Sequence, residues 1–328
     1  MTTTLPDSQG LLVLHHLRIQ NANAISSPLT HGFPSMTAFL GLMWALERKL
    51  CANGIGMAFD SVGVICHDFD EQVTEGGYTK AFRLTRNPVD KDGSTAAIVE
   101  EGRIHLDITL VFGVSSETIL EVAEARQARA DTVAETLAGM RVAGGSIVPT
   151  RGMAAHQGAE LIRLAEDPDE ARKQFRRLRR RWLPGFALVC RDDLLAQRLS
   201  SLQATTPTAT ALDALLDLSR INWRAEPGEP SDTERKNVDW KPEPREGWIV
   251  PIPLGYGALS GVHPAGSVKN ARDSHTDFRF VESLYSIGQW ISPHRLGSLR
   301  ELLWYGHSDI DGGLYRCRND FAATAQHA

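Results

Sequence analysis

The sequence predicts an α+β fold, because its apolar periodicity changes in a fixed order along the chain. Three observations carry this. "LLVLHHLRIQ" (11–20), "MAFDSVGVICHDF" (57–69) and "RIHLDITLVFG" (103–113) read as strands. Helical stretches follow the first strand, at 36–50, and the third, at about 116–140. "AGGSIVP" (143–149) is a short strand that starts on glycines. With one more short strand at "YTKAFRLTRN" (78–87), the first 150 residues read β-α-β-β-β-α-β. That order is close to a ferredoxin-like β-α-β-β-α-β unit with an extra strand or hairpin. Such a unit is an antiparallel sheet with helices on one face. Its other face is open, and open faces of this kind hold single-stranded RNA.

Each element has a local reason. "NANAISSPLTHGFPS" (21–35) crowds Asn, Ser, Pro and Gly and reads as a loop. Ser35 is placed to cap the helix that begins at Met36, with an apolar face of Phe39, Leu40, Met43, Trp44 and Leu46. In the short strand Tyr78, Phe82 and Leu84 mark one face. In 103–113, Ile104, Leu106, Ile108 and Leu110 share one side. The middle of the chain is helical. Asp169–Trp182 is a helix stopped by "LPG", "FALVCR" (186–191) is a strand, and 192–203 and 208–220 are helices. "AEPGEPSDTERKNVDWKPEPREG" (225–247) lacks periodicity and reads as a mobile surface loop. The last eighty residues give a strand "WIVPIPL", a glycine-rich turn "GYGALSG", and helices near 277–291 and 293–305. The expected organisation is a ferredoxin-like RNA-binding core over 1–150, a helical insertion with a basic helix and mobile loop over 151–246, and strand and helices over 247–328 that complete the core.

Composition narrows the function. The chain has 328 residues, is 42% hydrophobic and 23% charged, and carries a formal charge of −5. An acidic protein of this kind is no general polyanion binder, so any nucleic-acid role must rest on local patches. The cysteines Cys51, Cys66, Cys190 and Cys317 lie far apart with no CxxC pair, which argues against a disulfide framework and against a zinc site. The N-terminus has no basic leader and only a four-residue apolar run, LLVL. It reads as neither a signal peptide nor a membrane span, so the expectation is a soluble cytoplasmic protein with no membrane partner. No cofactor or metal is expected.

The local patch is "ARKQFRRLRRRWLPG" (171–185), with seven cations in ten residues: Arg172, Lys173, Arg176, Arg177, Arg179, Arg180 and Arg181. Ala171, Phe175, Leu178 and Trp182 form one apolar stripe, so the arginines occupy the other faces. Like charges at these spacings repel by a few tenths of a kcal/mol per pair. Phosphate, which arginine binds bidentately, relieves that cost. An acidic protein partner or a solvated face paired with Glu166, Asp167, Asp169 and Glu170 are the other readings. Three loops add donors suited to a sugar–phosphate chain. They are Arg83, Arg86, Asn87 and Lys91 around "RNPVDKDGS", then Lys269, Asn270 and Arg272 in "GSVKNARD", and finally Arg18, Asn21 and Asn23 at the end of the first strand. The first two are equally well read as ordinary loop polarity.

Signs of catalysis are weak. GxxxxGK[ST], HExxH and GxSxG are absent, and "GYGALSG" has too few glycines for a dinucleotide fingerprint. His15 and His16 sit in a strand with no nucleophile paired to them, and "HDFDE" (67–71) reads as a polar strand end rather than a metal set.

Taken together, "RIQNANAISSPLTHGFPS", "RNPVDKDGSTAAIVEEGRIHL", "AGGSI", "RRWLPGFALV", "ALDALLDLSRIN", "GWIVPIPLGYGALS", "KNARD", "ISPHRL" and "LLWYGH" resemble the family of second Csy subunits of type I-F CRISPR surveillance complexes. The resemblance spans about 11–316 and is weakest in 151–168 and 225–245. It implies a modified RNA-recognition-motif core of the repeat-associated (RAMP) superfamily with an added thumb-like or helical part. It also implies a non-catalytic subunit, at the foot of the complex, that holds the 5′ handle of the CRISPR RNA. The implied partners are the large subunit and the first backbone subunit, with target DNA near the foot. The glycine-rich loop of the wider superfamily has only a partial counterpart in "GYGALSG". The rival expectation is an RNA-processing endoribonuclease of the same superfamily.

Overall fold

The computed structural model describes residues 4–77, 79–86, 89–90, 92–149, 158–227, 238–271 and 273–325. The predicted Asn87, Lys91 and Arg272 lie outside these residues. The fold is mixed α/β, built on one large antiparallel sheet whose strands come from all three parts of the chain. The first strands are β1 (Gly10–Asn23), β2 (Ala58–Glu71) and β3 (Arg103–Ser115). Three short ones follow: β4 (Arg141–Val142), β5 (Gly145–Val148) and β6 (Ala159–Arg163). The later strands are β7 (Phe186–Cys190), β8 (Trp248–Ala258), β9 (Val281–Ile291), β10 (Trp304–Asp309) and β11 (Leu314–Asn319). Their order is β4-β5-β1-β3-β2-β7-β9-β8-β11-β10, with β6 also on β1. Trp304 of β10 pairs back with Val62 of β2, so β2, β7, β9, β8, β11 and β10 close into a ring.

The helices are α1 (Met36–Ala52), α2 (Ala123–Ala138), α3 (Pro168–Arg181), α4 (Asp192–Gln203) and α5 (Ala211–Ser219), with the short α6 (Leu299–Leu302) and α7 (Phe321–Ala325). Ser35 caps α1 as its sequence predicts, accepting from the Thr37 N–H. The helix buries Met36, Phe39, Leu40, Met43, Leu46 and Leu50. Trp44, expected on that face, is 37% exposed and stands beside Tyr315.

The open face expected of the sheet is only half open. Leu12, Leu14, Ile104, Leu106, Ile108 and Leu110 pack with α1 and α2 in one core. Their alternating neighbours Leu11, Val13, Val111 and Ile65 form a second core with Phe175, Leu178 and Trp182 of α3. The unbroken LLVL run has this cause: a strand covered on both sides has no polar face to alternate with. Further along, Leu194, Leu215, Ile249 and Ile287 join α4 and α5 to β8 and β9.

Five expectations are corrected. The predicted helix at 277–291 is strand β9, which pairs with both β7 and β8. The predicted helix at 293–305 is the single turn α6 followed by β10. "GYGALSG" is not a turn at its start: Gly255 and Gly257 continue β8 between β9 and β11. A Cβ on Gly255 would lie 2.0 Å from the Tyr315 carbonyl oxygen, so glycine is required by the close approach of β11. The loop at 225–247 begins and ends as a ribbon, Trp223–Pro227 paired with Val238–Pro242. The predicted strand at 78–87 is divided between two hairpins, Val73–Gly76 with Thr79–Phe82 and Leu84–Arg86 with Ile98–Glu100. No helix among the described residues is long and apolar enough to cross a membrane.

Candidate nucleic-acid interface

The basic helix is held by its ends as well as its stripe. Asp167 caps it, accepting from the N–H groups of Asp169 and Glu170 at 3.0 Å each. Arg172 pairs with Asp169 and Lys173 with Glu170, one turn back in each case. Arg179 donates to the Leu296 carbonyl and lies over the Phe175 ring. Arg181 makes a two-pronged pair with Glu160 of β6, which holds it more firmly in its charged form. These four cations are therefore engaged in holding the helix. Arg176, Arg177 and Arg180 are exposed and directed away from the stripe. The negative end of the helix dipole favours Arg180 in the last turn, but like charges three and four residues apart repel.

The helix ends against the uncovered half of the sheet. On β3 the alternation that puts Val111 in the second core puts Thr109, Asp107, His105 and Arg103 on the same side, and Arg18 of β1 stands opposite Asp107. His16, in a bulge of β1 at φ 48°, donates from Nδ1 to Asp107 Oδ1 at 3.0 Å. Its ring stacks on His67 of β2, with 4.1 Å between centroids. His67 donates from Nδ1 to the carbonyl of Pro184, just past α3, at 2.6 Å. A carbonyl only accepts, so His67 Nε2 is the bare nitrogen and receives the Thr109 hydroxyl at 2.8 Å. Burial pushes His67 below the usual histidine range. His15, the bulge neighbour, turns inward beside Glu160, and burial pushes it down to about 4. One hydrogen-bonded chain thus ties the end of α3 to the sheet surface that carries Arg18.

The other predicted residues divide. Asn21, at φ 57°, donates its backbone N–H to His105 Nδ1 at 3.1 Å. Asn23 spends both amide atoms on Ile25 as a local turn. Arg83 donates to Gln72 Oε1 at 2.9 Å where the two hairpins leave the sheet, and Arg86 is exposed on the second of them. Asn23 pairs with Arg103, so Arg18, Asn21, Asn23 and Arg83 gather towards one end of the sheet. Lys269 and Asn270 belong to the separate loop between β8 and β9, which is pinned by the His263–Phe278 bridge. Sequence reasoning named His16 and His67 but missed their union through Asp107 and Thr109, because the contacts span β1, β2 and β3.

A second feature lies where the sheet splits. β7 pairs with β2 only at Cys66 and Ile65, so the lower part of β2 diverges from β7, β9 and β8. The gap is a cleft of about 380 Å³ with Phe186, Trp248 and Trp290 on one wall and Phe69 on the other.

Comparison with known proteins settles the family. Residues 12–317 match the family model described as CRISPR-associated protein (Cas_Csy2). The chain is 49% identical over 318 residues to the "CRISPR-associated protein Csy2" of Pseudomonas aeruginosa (strain UCBPP-PA14), covering 95% of this chain and 96% of that protein. The chain belongs to the Csy2 family. It is thus a protein of type I-F CRISPR systems, as the resemblance in its motifs implied. The Csy2 match takes in α3, the histidine chain and the cleft alike, since all of them lie within residues 12–317.

Proposed function

We propose that this Csy2-family chain is a non-catalytic subunit of a type I-F CRISPR surveillance complex that holds the 5′ handle of the CRISPR RNA and pairs with the large subunit. The observation that carries this reading is the set of exposed guanidiniums of Arg176, Arg177 and Arg180, unpaired among the described residues, on a rigid helix whose end is hydrogen-bonded to the uncovered half-face. Cations on a fixed frame lose little freedom when they meet phosphates, and they set register without reading bases. The core is read here as ferredoxin-like: β5 and β6, β1, β3 and β2 lie side by side in the order fourth, first, third, second. The test is native mass spectrometry of the assembly with ultraviolet crosslinking. An RNA-bearing particle with crosslinks in α3 or in 16–23 supports the reading. An assembly whose RNA crosslinks only to other chains refutes it.

One observation favours a second reading, an RNA-processing endoribonuclease. Asp107 orients His16 and leaves its Nε2 as a candidate proton acceptor. Incubating the purified protein with unprocessed precursor RNA separates the two, since intact RNA excludes the enzyme.

A further inference from the structure

The cleft at the split of the sheet differs in chemistry from the cationic surface. It is walled by aromatic side chains, and three of them are open at its mouth: Phe69 is 53%, Phe186 44% and Trp248 48% exposed. Trp248 meets Phe186 edge-on at 5.8 Å and leans on Trp290 at 6.2 Å, and Phe33 meets Trp290 edge-on at 4.9 Å. The walls are therefore braced by one another while the space between them is unfilled. Large exposed aromatics grouped around a concavity mark a binding site rather than scattered surface.

Its charge selects the occupant. The charged groups lining it are Asp68 and Glu71, with His31 bonded to Glu71 at 2.8 Å, and no lysine or arginine lines it among the described residues. Asp70 adds a further carboxylate on the same strand. A nucleobase would bring a phosphate on each side into this acidic rim. A protein segment with cations flanking an apolar side chain meets attraction at the same place. At about 380 Å³ the volume is near the lower end for small-molecule pockets, roughly 300 to 1,000 Å³, and suits one large side chain.

We propose that this cleft is a docking socket for a bulky apolar side chain, aromatic by preference, carried on a lysine- or arginine-bearing segment of a neighbouring protein chain. The inference rests on the proposed function only for the presence of neighbouring chains. The arrangement is that of an interface anchor: a buried ring in an apolar pocket, with a charged rim that sets orientation and partner choice.

The test places the photocrosslinking amino acid p-benzoylphenylalanine at position 186 in the assembled complex and maps its products by mass spectrometry. The expected product joins position 186 to an apolar residue with Lys or Arg within three positions, and it survives ribonuclease treatment. Asp68→Asn with Glu71→Gln should lower its yield at least threefold, with the variant still incorporated in the assembly. A crosslink to RNA, to an acidic segment or to nothing overturns the proposal, as does an undiminished yield in the double variant. Proteins altered at Arg176, Arg177 and Arg180 keep the crosslink even where RNA retention falls, so the two readings fail separately.

Discussion

Replacing Arg176, Arg177 and Arg180 together by Gln removes the three cations of α3 that no partner neutralises among the described residues. Phe175, Leu178 and Trp182 stay in place, as do the Asp167 cap and the Arg181–Glu160 pair. The helix should therefore pack as before. Each phosphate contact contributes about 0.7 to the slope of log affinity against log salt for a single strand. Losing three should flatten the slope by about 2. Over a rise from 50 to 200 mM salt, the parent complex should lose about 16-fold more affinity than the variant does. The assay is fluorescence anisotropy of a labelled handle RNA on the assembled complex at four or more salt concentrations. Base preference should hardly move, because these contacts position the chain without reading it. Arg181→Gln is the control: its guanidinium is engaged by Glu160, so it should leave the slope alone. A triple variant with the parent slope would refute the RNA reading of α3 and turn the helix toward a protein neighbour.

Three other outcomes are expected. His15 is held down to about 4 by burial, below its ordinary 6.5, so the fold favours its neutral form; the stability this confers is full above pH 6.5 and lost as pH falls towards 4. The loss has an upper bound of about 3 kcal/mol, and urea unfolding at pH 7 and pH 4.5 should show a smaller difference in His15→Leu than in the parent. Trp182→Ala empties a fully buried site between α3 and the sheet and should cost about 3–5 kcal/mol in the same assay. Single His15, His16 and His67→Ala variants should leave processing of precursor RNA unchanged in gel assays of the reconstituted system, and lost processing in an assembled variant would favour the enzyme.

The elements read most readily in the sequence are those where one rule acts alone. Ser35 before an apolar stripe and the alternation of Ile104, Leu106, Ile108 and Leu110 lead directly to α1 and β3. Strand β9 misleads because Leu284, Ile287 and Ile291 fall at three- and four-residue spacing, which mimics a helical stripe. Its last six residues are in fact buried on both faces, between β7 and β8, so alternation is erased there. The basic helix is visible as a run of charge, but its division, among the described residues, into three exposed and four engaged cations is not. That division depends on Glu160 and Leu296, which only the tertiary fold brings near. The histidine chain and the cleft are hidden for the same reason, since their members come from strands that meet only after the sheet is assembled.

The pairing of Trp304 with Val62 has a consequence for synthesis on the ribosome. Val62 lies in the second strand of the large sheet to be made, and its partner follows only after most of the chain has been translated. Until then the β2 edge that β10 and β7 will cover presents unpaired backbone groups, the kind of edge that recruits stray strands. Pairings so distant in sequence close slowly, because loop entropy is lost before any contact repays it. The nascent protein therefore passes through a stage with a formed N-terminal core and an unsealed seam. At that stage a chaperone or a partner subunit that shields this edge does more for yield than one that acts on the finished fold.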